Sequence, residues 1–513
     1  MATQLNTGRI AKNTLLLYVR MFVTMLIALI TSRVVLNTLG VEDYGIYNIV
    51  GSVVVIFAFI SSPVSTSLQR FLNVEKGRGD NESVRKTFNS SFVAFLLIVG
   101  VVVLLTETVG LWAFYNKVNI PVERFGVAAY VFHISLLTFC LSILKSPFEA
   151  TILANEKMNA YAYFSIFDAL IKLGFVFLLS QTSIDKLLFY AIGLCTISLL
   201  TTLLYALYCR VKFPEVKLSV RYFNKSIFKS VLSFSGWSTF GSFVYSGLTA
   251  GFNFIINYFF GVTVNAAVGI KNQVVSAIYS FVANFQVAFK PQLFQLYGAE
   301  QKQDFYRLIF FSSKLSFFLY CLLVFPLFPI IPAVLQLWLG QVPEYSVDLV
   351  RIGLLFNLIA ACDGPLWMCV YATGKIKRYQ IIINSIELCN IPLVIVLCMW
   401  GLSPQGVYIT RIAVELVVFF VRWWYLKKYI AFPLPDYINR VFMPLLFVLI
   451  PLLISSVILS KLDSTLACCL FVFFAQLMFS TVLILFVGLN REERIKVRKI
   501  ILERVPLLAR FRG

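Results

Sequence analysis

Charged side chains interrupt the apolar segments of this sequence, and their types could do chemistry inside a membrane. A charge at the centre of an apolar span costs about 2.5–3.5 kcal/mol on insertion scales, so such residues usually face a protein interior or a cavity. The carboxylates in these segments are Glu107, Asp168, Asp363, Glu387 and Glu415, with Asp348 at a predicted outer end. The cations are Arg20, Arg33, Lys172, Lys271, Lys314, Arg351 and Arg411.

Part of this charge has a local explanation in helical spacing. Three pairs lie three or four residues apart, where opposite charges on a helix can neutralise each other: Asp168 with Lys172, Arg411 with Glu415, and Asp348 with Arg351. Neutralisation within one helix and a role in a cavity both stay open for these pairs. His133, the only histidine, is expected to pack inside its helix, and Lys314 is expected to reach for the cytoplasmic interface.

The remaining charges define the candidate sites. Cations that face a polar cavity can hold an anionic headgroup, and Arg offers bidentate contacts to phosphate. Arg20 is the strongest candidate, because it shares one side of its helix with Asn13, Thr24 and Thr31. Arg33 and Lys271 are further substrate-binding candidates. The carboxylates Glu387, Asp363 and Glu415 are candidates for a coupling cation or proton, although a structural hydrogen bond explains them equally well.

Two polar stripes extend this prediction. One side of the segment 233–259 carries Ser235, Thr239, Ser242, Ser246, Thr249, Asn253 and Asn257 at helical spacing. The following segment carries Gln273, Ser276, Ser280 and Asn284. Small hydroxyl residues also permit close helix packing, but a long stripe that includes two Asn favours a water-filled cavity. We therefore predict that Asn253, Gln273 and Asn284 contact substrate.

The elements that must position these residues are membrane helices. Of the 513 residues, 59% are hydrophobic and 13% charged, which is about half the usual charge of a soluble domain. A helix needs about 20 residues to cross the hydrocarbon core. The sequence predicts an all-α polytopic membrane protein with about fourteen spans: 14–36, 44–68, 88–114, 125–144, 160–180, 187–209, 233–259, 265–289, 307–334, 347–371, 380–400, 406–425, 441–460 and 466–488.

The net charge of +20 sets the orientation of these spans. With the N-terminus in the cytoplasm, the external loops contain only Lys117, Arg124, Lys186 and Lys461, whereas most of the 44 Lys and Arg fall in cytoplasmic segments. This bias follows the positive-inside rule and predicts that both termini are cytoplasmic. The surplus is then explained by membrane orientation and anionic lipids, and no nucleic-acid partner is expected.

A weak repeat suggests the domain organisation. A shift of 221 residues aligns Gly40-Val41 with Gly261-Val262 and Leu72 with Leu293, as expected for a transporter built from two related halves. We predict an N-lobe at 1–209, a cytoplasmic interfacial linker helix at 210–232, a C-lobe at 233–425, two further spans within 426–488, and a basic cytoplasmic tail at 489–513. Two six-helix lobes around a central cavity, plus the two C-terminal helices, complete the predicted architecture.

Enzymatic motifs are missing from the sequence. It contains no GxxxxGK[ST], GxSxG or HExxH pattern and no Cys/His metal spacing. No catalytic residue, metal ligand or cofactor is therefore predicted. A first apolar run that lacks a small-residue cleavage site is expected to be retained as the first span.

The N-terminal segment carries a family resemblance. The stretch NTLLLYVRMFVTMLIALITSRVVLNTLGVEDYGIYN, with Arg33, Leu39-Gly40 and Asp43-Tyr44-Gly45, followed by Arg70, resembles the polysaccharide/O-antigen flippases. These belong to the multidrug/oligosaccharidyl-lipid/polysaccharide exporter superfamily. The resemblance implies a bacterial inner-membrane protein that flips an undecaprenyl-pyrophosphate-linked oligosaccharide by alternating access, coupled to a cation, for lipopolysaccharide or polysaccharide synthesis. It also implies a polysaccharide polymerase and chain-length proteins as partners.

Two other functions remain in competition. A multidrug or cation antiporter of the same superfamily would share the architecture. A membrane polymerase or acyltransferase is less favoured, because the external loops carry few polar residues.

Overall fold

The computed structural model describes residues 7–55, 59–117, 120–179, 182, 185–462, 465–491 and 493–495. Within these ranges the protein is all-helical, and no β-strand occurs. The predicted fold class, an all-α polytopic protein, is confirmed. The predicted basic tail lies outside the described residues from 496 onward.

Seven helices precede the predicted linker, and a π-helical turn at Thr106–Gly110 lies between the third and fourth. They are α1 (Thr7–Val55), α2 (Ser61–Arg78), α3 (Asn81–Leu105), α4 (Leu111–Lys117), α5 (Val122–Ala154), α6 (Met158–Leu179) and α7 (Lys186–Lys212).

The second half of the described chain contains ten more helices. They are α8 (Lys225–Gly298), α9 (Lys302–Leu327), α10 (Ile331–Leu339), α11 (Ser346–Thr373), α12 (Lys377–Leu388), α13 (Asn390–Met399), α14 (Pro404–Ile430), α15 (Leu434–Tyr437), α16 (Met443–Leu459) and α17 (Leu466–Leu483).

Twelve helical stretches in the described ranges are long and apolar enough to cross a membrane. Each predicted span overlaps one of them except 44–68, and the stretch Lys225–Gly298 contains two predicted spans. The described residues of 44–68 belong to α1, which is described up to Val55, and to α2, which is described from Ser61. Residues 56–58 lie outside the described residues, so this predicted span stays a prediction.

The two longest helices are each broken at one glycine. Gly40 in α1 has φ 81° and ψ 171°, and Gly261 in α8 has φ 81° and ψ −175°. Only glycine adopts this backbone conformation at low cost. Each of the two helices therefore consists of two arms. These are the two glycines that the 221-residue shift aligns, and they have the same conformation.

The linker prediction was wrong in its secondary structure. Residues 213–224 contain two short 3₁₀ turns, Pro214–Val216 and Val220–Tyr222, rather than an interfacial helix. Polar contacts hold the segment: the Asn89 Nδ2 donates to the Lys217 carbonyl at 3.2 Å, and the Ser219 amide donates to Asn89 Oδ1 at 2.8 Å. Pro214 removes a backbone donor, and the side chain of Asn89 supplies both a donor and an acceptor to this irregular backbone.

The chain divides into two compact units. The first contains residues 12–243 and 294–300, and the second contains 244–293 and the described residues after 300, with the first turns of α1. A hydrophobic core of the first unit includes Leu68, Phe88, Phe95 and Phe148, and a core of the second includes Phe252, Leu349 and Val394.

A close backbone crossing joins the ends of α2 and α8 inside the first unit. A Cβ on Gly77 would lie 2.1 Å from the Gln295 carbonyl oxygen, and a Cβ on Gly298 would lie 2.1 Å from the Val74 carbonyl oxygen. Positions 74 and 295, and positions 77 and 298, are related by the same shift of 221 residues. The crossing is therefore reciprocal, and both of its glycines are required by the lack of space.

Candidate functional site

The first unit encloses a polar cavity of about 470 Å³. Both arms of α1 line it, together with α5, α6 and α7. Its charged residues are Arg20, Lys145, Glu149, Asp168 and Lys172, and four tyrosines, Tyr44, Tyr47, Tyr190 and Tyr205, supply aromatic surface. Three cations against two carboxylates give this cavity one formal positive charge in excess.

The charged side chains of this cavity have different contacts. The Lys172 Nζ lies 2.7 Å from Asp168 Oδ2, and the Lys145 Nζ lies 3.6 Å from Glu149 Oε1. The predicted Asp168–Lys172 pair is confirmed. The Arg20 guanidinium carbon lies 4.7 Å from the centroid of the Tyr161 ring, a distance at which the ring quadrupole attracts a cation. Arg20 is thus one of the three cations that give this cavity its excess charge.

The second unit encloses a cavity of about 550 Å³. Both arms of α8 line it, together with α11, α12, α13 and α14. It contains two cations and two carboxylates, so its formal charge is balanced, and three carboxamides add neutral polar groups. These residues are Lys271, Arg411, Glu387, Glu415, Asn272, Asn357 and Asn390.

Aromatic faces hold both cations of the second cavity. Lys271 is buried, and its Nζ lies 3.8 Å from the centroid of the Tyr408 ring. The Arg411 guanidinium carbon lies 5.1 Å and 5.0 Å from the centroids of Phe252 and Phe356. Cation–π contacts are strongest when the cation is desolvated, so these rings contribute to holding the two side chains in place.

The two cavities are built from corresponding helices. In the first unit, the walls are the first, second, fourth, fifth and sixth predicted spans; in the second unit, they are the seventh, eighth, tenth, eleventh and twelfth. In each case the first two walls are the arms on either side of a glycine break. This equivalence supports the repeat that the sequence suggested.

The structure brings some predicted site residues together and leaves others apart. Arg20 lines the first cavity, and Lys271, Glu387 and Glu415 line the second. Arg33 and Gln273 are exposed, Asn253 and Asn284 are half-buried, and these four line neither cavity. Tyr245, Leu248 and Phe252 present a different face of α8 to the second cavity than the predicted polar stripe.

Asp363, a candidate for the coupling cation or proton, lies in an ion pair. It forms a buried ion pair with Arg422 of α14, whose Nε lies 2.5 Å from the Tyr379 hydroxyl. The network links α11, α12 and α14, and Asp363 lines neither cavity. Its placement therefore favours the alternative of a structural role.

The structure also gives the surroundings of the other charged residues. His133 is half-exposed instead of packed, and its Nδ1 lies 2.9 Å from Glu107 Oε1. Lys314 is buried, and its Nζ lies 2.6 Å from Oε2 of Glu493, a residue of the predicted cytoplasmic tail. Asp348 and Arg351 also have other partners, since Gln405 donates to Asp348 and Arg351 donates to the Phe328 carbonyl.

Sequence reasoning missed several cavity residues. Lys145 and Glu149 were assigned to a loop, because the apolar run ends near 144, yet α5 continues to Ala154. Their spacing of four residues is the signal that could have identified them. Asn272, Asn357 and Asn390 also line a cavity, but they belong to no polar stripe in the sequence.

No group of three or more His, Cys, Asp or Glu suited to a metal ion occurs in the described part of the chain. A monovalent cation or proton would find its carboxylates at Glu387 and Glu415 in the second cavity, or at Glu149 and Asp168 in the first.

Similarity to solved structures defines the class of the fold. A crystal structure of a MATE protein matches with a TM-score of 0.71 at 14% identity, covering 82% of this chain and 96% of that one. An outward-facing multidrug resistance MATE transporter of the MOP superfamily matches with a TM-score of 0.70 at 14% identity, covering 84% and 97%. A MOP superfamily transporter from Pyrococcus furiosus gives 0.68 at 14% identity, covering 84% and 96%. The chain therefore has the fold of this class of multi-pass membrane transporter.

The family is narrower than the fold class. A model of the polysaccharide biosynthesis protein family matches residues 10–299. The chain belongs to this family, and the predicted family resemblance is confirmed. No curated protein matches the chain significantly.

Proposed function

We propose that this protein flips an undecaprenyl-pyrophosphate-linked oligosaccharide across the bacterial inner membrane by alternating access. The family is one of polysaccharide biosynthesis, which favours a glycan substrate. The observation that carries the proposal is the excess positive charge of the first cavity, with Arg20 held at Tyr161. A guanidinium can bind a pyrophosphate through charge-assisted hydrogen bonds, and the tyrosines of the same wall suit a sugar.

The test is transport of a fluorescent undecaprenyl-pyrophosphate oligosaccharide in proteoliposomes that contain the purified protein. Because a hydrogen bond to a charged group contributes about 1.5–3 kcal/mol, Arg20→Ala should raise the half-saturating substrate concentration by about tenfold or more. Arg210→Ala removes an exposed cation at the end of α7 that lines neither cavity, so it serves as the matched control. Equal transport by the two variants would refute the role of Arg20, and absence of transport by the native protein would refute the function.

We further propose that Glu387 and Glu415 bind the coupling cation or proton. They are the two carboxylates of the second cavity, and the buried Lys271 and half-buried Arg411 in the same cavity are cations with which a bound ion could compete. Glu387→Gln should leave substrate binding intact and abolish the acceleration of transport by an imposed ion gradient. Gradients of protons and of sodium, applied separately, would identify the ion, and retention of coupling would contradict the assignment.

A multidrug exporter is the second candidate, because the structurally similar MATE proteins include a multidrug resistance transporter. The balanced charge of the second cavity, with its acidic and aromatic walls, would also accept an organic cation. Drug tolerance restored in a pump-deficient strain, without any effect on surface polysaccharide, would favour this function over the first.

The orientation and partners complete the proposal. The distribution of Lys and Arg supports a cytoplasmic position for both termini, and topology reporters fused at each end test this. A flippase supplies substrate at the outer leaflet, so a polymerase and chain-length proteins are expected neighbours. Co-purification with these proteins would support the assignment.

A further inference from the structure

An ion cluster joins three helix beginnings in the first unit. Arg124, in the first turn of α5, contacts both carboxylate oxygens of Asp43: its Nε donates to Oδ1 at 2.9 Å, and a terminal nitrogen reaches Oδ2. Its other terminal nitrogen donates to Asp185 Oδ2 at 2.5 Å. Asp43 follows the break at Gly40, and Asp185 caps α7 by accepting from the Leu188 amide at 3.1 Å.

Elementary electrostatics explains why the residues meet. The first turn of a helix has unpaired N–H groups and a partial positive charge, and therefore favours a carboxylate. The α1 arm after Gly40 and helix α7 both place an aspartate there. Two carboxylates side by side would repel each other, and the planar guanidinium of Arg124 neutralises both with directed hydrogen bonds. The three side chains are between 14% and 28% exposed, so water screens the cluster only in part.

The surrounding charges do not compete for Arg124. Glu42, Glu123 and Lys186 are neighbours in sequence, and all three are exposed. Lys186 points its Nζ toward the Thr38 carbonyl at 3.5 Å, on the other side of the glycine break. The described neighbours therefore leave the Arg124 guanidinium engaged with Asp43 and Asp185.

The two aspartates stand directly beside the wall of the first cavity. Asp43 precedes Tyr44, Tyr47 and Asn48, and Asp185 lies five residues before Tyr190; all four of these neighbours line the cavity. Tyr47 and Tyr190 meet edge to face, with ring centroids 5.0 Å apart. Fixing the starts of both helices thus fixes the two rings against each other.

We propose that Arg124 is a positioning residue, which holds the second arm of α1 and the start of α7 so that their tyrosines form one wall of the first cavity. The Asp43-Tyr44-Gly45 motif then has a physical role: Asp43 is the anchor and Tyr44 is part of the wall that it positions. This inference deepens the proposed function, because it concerns the cavity assigned to substrate. Its test requires no transported substrate.

The experiment measures cross-linking of the full-length protein in nanodiscs, in a background in which the ten native cysteines are replaced. The pair Tyr47→Cys/Tyr190→Cys reports on the first cavity, and a short bifunctional thiosulfonate is the probe. The pair Phe252→Cys/Tyr408→Cys, whose ring centroids lie 6.4 Å apart, reports on the second cavity as a control. Arg124→Gln should slow cross-linking of the first pair about tenfold, which corresponds to about 1.4 kcal/mol of local opening, and should leave the second pair unchanged.

Matched variants separate positioning from folding. Glu123→Gln removes an exposed charge of the same helical turn and should change neither rate. Arg124→Lys keeps the charge but loses the bidentate geometry, so its rate should lie between those of Arg124 and Arg124→Gln. The proposal would be overturned if Arg124→Gln left the cross-linking rate of the first pair unchanged, or if it slowed the cross-linking of both pairs equally. Failure of the protein to transport oligosaccharide would refute only the proposed function.

Discussion

The crossing of α2 and α8 at Gly77 and Gly298 gives a prediction that can be worked out from distances. A Cβ on Gly77 would lie 2.1 Å from the Gln295 oxygen and 2.9 Å from the Ala299 nitrogen. Carbon–oxygen contacts normally begin at about 3.3 Å. The backbones must therefore separate by about 1.2 Å to admit the methyl group of Gly77→Ala.

This separation has two costs. Overpacking of a tight contact costs about 1–3 kcal/mol. The displacement also weakens two hydrogen bonds from the Gln295 Nε2, to Asn73 Oδ1 at 2.9 Å and to the Ala154 carbonyl at 3.2 Å, each of which contributes about 1 kcal/mol. We expect Gly77→Ala to lower the free energy of unfolding by about 2–4 kcal/mol.

The assay is denaturant unfolding of the purified protein in mixed micelles. Gly126→Ala is the control, because nothing lies within 4 Å of the added Cβ in α5, and it should be neutral or slightly stabilising. Gly298→Ala should behave like Gly77→Ala. The loss of unfolding free energy in the double variant should be smaller than the sum of the losses in the two single variants, because the first methyl group already separates the helices. Equal stability of Gly77→Ala and Gly126→Ala would refute the reasoning.

Two further predictions concern ion pairs. Lys314→Met should destabilise the protein by about 3 kcal/mol, because it strands the Glu493 carboxylate, and the double variant Lys314→Met/Glu493→Gln should recover most of this in the same unfolding assay. Burial favours the neutral form of Glu215, but the 2.8 Å ion pair with Lys76 and a bond from Asn155 outweigh it and leave the pKa lowered. Burial lowers the pKa of Lys76 in spite of this pair. The net contribution of the ion pair to the free energy of unfolding is therefore about 1 kcal/mol or less. A carboxyl with a lowered pKa stabilises the fold above its unfolded value of about 4.3. Glu215→Gln should therefore lower the unfolding temperature at pH 7, and the difference should vanish as the pH falls through the folded pKa.

Hydropathy was sufficient to predict the helices, because a bilayer requires long apolar segments with internal hydrogen bonds. It placed the end of one helix too early, because α5 continues past Lys145, beyond the end of its apolar run. The linker was misjudged because its alternation of cations and apolar residues was taken for an amphipathic helix, whereas Pro214 and the contacts from Asn89 hold it in turns.

The cavities were only partly predictable. Each one is lined by helices that lie far apart in the sequence, and no periodicity within one helix reveals which face meets which neighbour. Arg20 and Glu387 were identified because buried charge is costly. Arg33 and Asp363 satisfied the same criterion, yet one is exposed and the other is paired with Arg422. Charge alone therefore indicated that a residue needs a partner, without saying which partner it has.

The paired glycines bear on how this protein arose. Gly77 lies against Gln295, and Gly298 lies against Val74, so each contact is the equivalent of the other. Such reciprocal contacts are expected where two identical subunits related by a two-fold axis are fused into one chain. Gly40 and Gly261 are a second pair of equivalent glycines, since they have the same backbone conformation. The cavities are not equivalent, since Arg20 and its neighbours give one copy an excess of charge that the other lacks. The scaffold glycines are therefore common to the two halves, whereas the charges of the cavity walls differ between them.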